Sequence, residues 1–249
     1  MSLILTGLLL ATMVGTSFLS GIFGMAGGLI LVGVLLAILP LPAAMMLHGV
    51  TQLASNLWRA SLWWRHIRWR PVAAYVAGCT MALLGWSLFR FVPATPVALL
   101  MLGVTPFMVR LAPVKLRANP DSPRQGVFYG TICMTLILLT GVAGPLIDSF
   151  FLGGNLDRRE IVATKSACQV FGHAAKLVYF GGIIDQAASV DPILAGLAIV
   201  ASMIGTSLAA RVLEAMSDLQ FRLWANRIIT TIATYYILDG SYMMIWPAA

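Results

Sequence analysis

The chain has 249 residues, of which 59% are hydrophobic and only 10% charged, with a formal net charge of +7 and a mean hydropathy of +0.90. Soluble domains carry roughly a quarter charged residues, so this composition excludes a water-covered surface and points to an integral membrane protein, with apolar runs of about 18 residues or more recurring along it. The basic residues lie between those runs, as cytoplasmic loop residues do. No basic, aromatic-interleaved arm that would track phosphates is present, so nucleic acid is not an expected partner.

In chain order, residues 3–20 form the first apolar segment. Met1-Ser2-Leu3 lacks the positive flank of a cleaved signal peptide, so this run is expected to be a membrane segment. It ends in Gly21-Ile22-Phe23-Gly24-Met25-Ala26-Gly27-Gly28, whose four glycines predict a helix break. A shorter apolar piece, 29–39, stops at Pro40-Leu41-Pro42. The next predicted helix, 43–64, carries a polar stripe: His48, Gln52, Asn56 and Arg59 fall at i, i+4, i+8 and i+11 and share one face. It closes in Arg65-His66-Ile67-Arg68-Trp69-Arg70, where tryptophans beside arginines suit a membrane interface. Two further spans, 71–92 and 95–112, lead to a linker at 113–124 with three prolines.

The second half repeats the plan. Residues 125–140 are apolar and end in Gly141-Val142-Ala143-Gly144-Pro145, followed by a short piece containing Asp148. A second striped helix, 160–180, carries Lys165, Gln169, His173 and Lys176, each 117 residues after its counterpart in the first stripe. A loop at 181–192 holds Asp185 and Asp191. Spans at 193–211 and 220–246 close the chain, with Gly205-Thr206-Ser207 lying 120 residues after Gly85-Trp86-Ser87. These fixed displacements predict an internal duplication: repeat 1 over about 1–112 and repeat 2 over about 125–249, in one transmembrane domain.

The loop after the first stripe holds three arginines and no acid, and the loop after the second holds two aspartates and no base. The positive-inside tendency then sets the halves in opposite orientation. Placing 65–70, 110–124, 158–159 and 211–227 in the cytoplasm puts twelve of the sixteen Lys and Arg there, with both termini outside. The expected fold is an all-α polytopic membrane protein of two inverted-topology repeats, with glycine-broken or re-entrant helices at a central site. Ten crossings, or about six plus two re-entrant hairpins, both satisfy the parity. Cys79, Cys133 and Cys168 show no paired or metal-type spacing and read as buried small hydrophobes.

A cationic side chain near the bilayer centre costs from ~3 to above 10 kcal/mol, so it faces a cavity or a partner. Arg59 has no acid in its own half, since the first in the chain is Asp121. Paired, glycine-interrupted short segments are a pointer to a transporter site, with half-helix N-termini aimed at an anion. The expected substrate-binding set is therefore Arg59 and Lys176 for charge, Gln52, Gln169, Asn56 and His173 for hydrogen bonds, and Gly24, Gly27, Gly28 and Gly144 for backbone amides. His48 and Asp148 are candidates for a coupling proton, with Lys176 or Arg211 as alternative ion partners of Asp148. Plainer readings stand beside these: Arg59 and Lys176 reaching to the interfaces, Gln52, Gln169, His48 and His173 bonding helix to helix, and Lys165 at the interface near Arg159. No metal, cofactor or catalytic residue is expected.

Gly21-x-x-Gly24-x-x-Gly27-Gly28, the second Gly141-x-x-Gly144, and a glutamine-bearing helix behind each resemble the sulfite exporter TauE/SafE-like family, also called TSUP transporters. The resemblance spans nearly the whole chain in length, repeat and motif placement. It implies a multi-pass carrier in a bacterial inner membrane for sulfur-containing anions, either sulfite or organosulfonates such as sulfoacetate. The second glycine motif departs from the family in Pro145 and Asp148, which bears against a symmetrical site. Expected partners are a small anion and the lipid bilayer, with a homodimer compatible. An accessory membrane subunit or an intramembrane enzyme are the alternatives, and the enzyme would need clustered acids or a nucleophile–base pair.

Overall fold

The structure, a computed structural model, describes residues 3–24, 26–111, 119–152, 156–183 and 190–246. They form helices α1 (Leu3–Phe23), α2 (Ala26–Ile38), α3 (Leu41–Leu62), α4 (Trp69–Phe89), α5 (Thr95–Leu111), α6 (Pro123–Thr140), α7 (Gly144–Leu152), α8 (Arg158–Val178), α9 (Pro192–Ala215) and α10 (Asp218–Ile245). The expected segments fall on these helices. Residues 113–118 of the linker and Asp185 lie outside the described residues. Local chemistry sets the starts. Proline occupies the first turn of α3, α6 and α9, where its missing N–H is not needed. Capping boxes open α8 (Asp157 with Glu160) and α10 (Ser217 with Gln220).

At both glycine breaks the chain doubles back. Gly24 and Gly141, 117 residues apart, have φ of +82° and +88°, a conformation that L side chains rarely adopt. From Gly24, α2 returns along α1, so that a Cβ at Gly27 would strike the Thr16 carbonyl. From Gly141, α7 returns along α6, stacking Phe150 on Tyr129 with ring centroids 4.6 Å apart. Thus α1–α2 and α6–α7 are helical hairpins with glycine tips.

Small residues set the helix pairings by letting backbones meet. Gly205 of α9 lies against Val14 and Phe18, and Gly21 of α1 against Thr206 and Ala209, so α1 and α9 run parallel. Gly78 of α4 lies against Val127 and Gly130 of α6 against Tyr75; farther along, Trp86 Nε1 donates to Thr135 Oγ1 at 3.1 Å. These two helices are also parallel. In contrast α3 and α8 run antiparallel, Gly49 meeting Leu177 at one end and the Arg68 amide donating to Thr164 Oγ1 at the other. So do α5 and α10, through Gly103 on Ala233 and Gly240 on Pro96. Exchanging α1–α5 for α6–α10 converts each pairing into another of the set or into itself.

Buried side chains such as Met13, Leu35, Tyr75, Phe150 and Phe151 fill the interior, while Met81, Leu84, Leu88, Leu208 and Leu238 point outward. An apolar perimeter of this kind suits lipid. Among the described residues, three helices are long and apolar enough to cross a membrane, at Ile4–Phe23, Trp69–Phe89 and Pro192–Ala215. The striped helices α3 and α8 are not among them, because their polar faces are turned inward, toward each other.

Gly78→Ala is expected to lower the thermal midpoint of the detergent-solubilised protein, at a cost of about 1–3 kcal/mol, by forcing α4 away from α6. Gly85, on the same helix, has open space beside it; Gly85→Ala is expected to hold or raise the midpoint.

Candidate functional site

The two polar stripes face each other across the α3–α8 contact and form one buried column. Arg59, Lys165 and Lys176 are at most 2% exposed, and His48, Gln52, Asn56, Gln169 and His173 are buried with them. Neither Arg59 nor Lys176 reaches an interface.

At one end of the column Lys176 Nζ donates to the Gly141 carbonyl at 3.2 Å and lies 2.6 Å from His48 Nδ1. The other ring nitrogen, Nε2, is 3.0 Å from the Gly28 carbonyl. A carbonyl only accepts, so Nε2 carries the proton and Nδ1 accepts from the lysine; this network assigns a neutral imidazole. His48 thereby links the tip of the second hairpin to the first turn of α2. His173 sets its ring edge-on to His48, centroids 5.7 Å apart.

At the other end Lys165 forms an ion pair with Asp148 of α7. The tip of the first hairpin closes over it, for a Cβ at Gly24 would collide with Lys165 Nζ. Arg59 acts electrostatically on the same carboxylate. Its own hydrogen bonds are long, 3.4 Å to Asn56 Oδ1 and 3.3 Å to Ser55 Oγ. Lys165 is buried by the Gly24 tip and α7, next to the contact of Thr164 with the Arg68 amide. One sequence expectation is corrected here. Asp148 pairs with neither Lys176 nor Arg211, because α7 folds back along α6 and delivers it to the N-terminal half of α8.

The two glycine breaks come together in part: Gly28 and Gly141 are joined through His48 and Lys176, while Gly24 lies apart from them. Gly24 sits at Lys165 and Gly141 at Lys176, eleven residues apart on α8, or about 16 Å at 1.5 Å per residue. Between them lie Gln52, Asn56 and Gln169, with Gly28 against the Gln52 amide. Asn56 Nδ2 donates to the Gln52 carbonyl at 2.8 Å. Gly27 packs on Thr16 and Ser20 within its own hairpin, and Gly144 is the first residue of α7.

Several polar atoms along the column have no protein partner, Gln52 Nε2, Arg59 Nε, Gln169 Oε1 and His173 Nδ1, and neither do the buried hydroxyls of Ser17, Ser20 and Ser166. The serines and the burial of Lys165 escaped the sequence reading. Ser17 and Ser20 precede the first glycine break at helical spacing, and Ser166 adjoins Lys165, signals that a search confined to long polar side chains passes over. Chemically, the column holds three buried cations, Arg59, Lys165 and Lys176, against one acid, Asp148. Buried charge without a partner costs several kcal/mol. Among the described residues no three His, Cys, Asp or Glu side chains gather as they would around a metal ion.

Fold and site define the class: a polytopic helical membrane protein organised around a buried, cationic polar column. Residues 8–236 match the family described as sulfite exporter TauE/SafE, and the chain belongs to that family. It is therefore a multi-pass membrane transporter and not an enzyme. Comparisons with curated proteins and with solved structures returned no match.

Gly24→Ala and Gly141→Ala are each expected to destabilise the protein by about 1–3 kcal/mol through the positive φ alone. At Gly24 the contact with Lys165 adds to this. Thermal unfolding in detergent, with Gly85→Ala as reference, checks both values.

Proposed function

We propose that the protein is a secondary transporter that moves a small sulfur-containing anion, sulfite or an organosulfonate, across a bacterial inner membrane. The observation that carries this reading is the excess of buried cations where two glycine-tipped hairpins meet α3 and α8. Lys176 at one end of the column and Arg59 at the other supply charge to the anion as it passes along. Gln52, Gln169, Asn56 and His173 supply hydrogen bonds, and the first turns of α2 and α7, at Gly27, Gly28 and Gly144, supply amides. His48 and Asp148 are the groups available for a coupling proton.

The two halves act as inverted repeats, one over 1–112 and one over 125–249, that alternate access to the column. Antiparallel pairing of equivalent helices, α3 with α8 and α5 with α10, supports inversion, as does parallel pairing of α1 with α9 and α4 with α6. The loop charges agree with it. Arg68 bonds Glu160 at 3.1 Å and approaches Asp121 at 4.0 Å, and Arg159 lies over the Trp63 ring. Trp58 Nε1 donates to Ser207 Oγ at 2.8 Å, which brings the Arg211 end of α9 to the same side. The Arg90 turn lies at the opposite end, where Tyr179 donates to the Phe91 carbonyl at 2.8 Å. The arginine-rich end is the cytoplasmic one. In this arrangement α3–α5 and α8–α10 make six crossings and the two hairpins re-enter from opposite faces.

Proteoliposomes loaded with labelled sulfite or a sulfonate test the proposal. Wild-type protein is expected to carry saturable flux. The Arg59→Ala/Lys176→Ala double variant is expected to lose at least about thirtyfold in apparent affinity, the equivalent of 2 kcal/mol for truncating buried charge partners. Unchanged flux in that variant would defeat the site assignment.

A further inference from the structure

The two ends of the column differ, and the difference is Asp148. At one end Lys176 meets neutral groups, the His48 imidazole and the Gly141 carbonyl. At the other, Lys165 pairs with a carboxylate delivered by α7, and Arg59 acts on that carboxylate electrostatically without a direct bond to it. The residue 117 positions before Asp148 is Leu31, buried and apolar, so the first half supplies no equivalent acid. Even with Asp148 in place, Arg59 is short of acceptors. A guanidinium has five N–H donors; here two are engaged in long bonds to neutral oxygens and Nε has no protein partner. Asp148 is also the less buried member of the ion pair, its side chain 14% exposed against 2% for Lys165.

We propose that the Arg59–Lys165 end of the column is a second oxyanion station, and that Asp148 is a tethered carboxylate holding the place of the transported anion there. This inference rests on the transporter reading above. A carboxylate and a sulfonate or sulfite present the same chemistry to these cations: negatively charged oxygens that accept short, charge-assisted hydrogen bonds. The anion reaches Arg59 and Lys165 only as the Asp148 carboxylate gives up Lys165. The side chain therefore competes with substrate at one end of the column and not at the other. A competitor tethered within the site acts at an effective concentration of about millimolar or more, and it weakens apparent affinity accordingly.

The full chain in detergent is titrated with sulfite and with methanesulfonate, by calorimetry and by thermal unfolding. Asp148→Asn is neutral and nearly isosteric. It is expected to bind sulfite at least about tenfold more tightly than wild type, and to gain more thermal stability from the anion, which then answers the charge left on Lys165. Asp148→Glu, which keeps the carboxylate, is expected to stay near wild type. Should Asp148→Asn fail to fold, Lys165→Gln/Asp148→Asn is compared with Lys165→Gln alone. The double variant has no unpaired lysine, and it is again expected to bind about tenfold more tightly. Equal affinity in these comparisons, with sulfite or sulfonate flux intact in wild type, overturns the tethered carboxylate and leaves the transporter reading standing. Absence of flux in wild type overturns the transporter reading itself.

Discussion

Positive charge buried in excess of negative charge is the constraint on which the structure depends, and the hairpin tips are what make it tolerable. Each tip joins the C-terminus of a long helix to the N-terminus of a short one. The C-terminal carbonyls carry the negative end of the helix dipole and the N-terminal amides the positive end. The tip of α6 turns its Gly141 carbonyl to Lys176, and the tip of α1 sits on Lys165. Lys176 is thus held by a carbonyl of one tip, while Lys165 lies against the other tip and pairs with Asp148. A glycine with positive φ is required at both tips because only that geometry turns the chain while leaving the terminal carbonyls free to face a side chain.

Much of this was legible in the sequence, because membrane composition leaves few choices. Hydropathy and proline placement fixed the helices to within a few residues, and the 117-residue displacement aligned the two stripes before any geometry was known. The loop arginines at 65–70 and 158–159 were grouped by charge, and Arg68 on Glu160 with Arg159 over Trp63 brings those loops together. What escaped depends on chain reversal. Lys165 lies less than two helical turns from Arg159, so along α8 alone it reads as interfacial; only the fold-back of α1–α2 buries it. Asp148 could be read toward Lys176 or Arg211 because no periodicity in a nine-residue helix says which way it returns. The buried serines Ser17, Ser20 and Ser166 carry no signal in a composition already rich in small residues.

At the 117-residue displacement the two halves differ at a few positions, and those differences give the column its polarity. His48 occupies the place of Lys165, Asn56 that of His173, Arg59 that of Lys176, and Leu31 that of Asp148. Because α3 and α8 are antiparallel, these substitutions do not cancel. They set a lysine–histidine pair at one end and an arginine–lysine–aspartate cluster at the other, each with a formal charge of +1 when the histidine is neutral.

That distribution bears on how an anion could move along the column. Midway between the two ends it would be about 8 Å from either, and at an effective dielectric near 20 each unit charge still attracts it by about 2 kcal/mol. An anion leaving one end is therefore never without compensation. The same attraction becomes an obstacle if either end holds too strongly, since conduction through a polar path needs binding strong enough to admit the ion and weak enough to release it. Two uncompensated cations at the Arg59–Lys165 end would make the deeper well. A carboxylate tethered beside them brings that end back to a single net charge, equal to the Lys176 end.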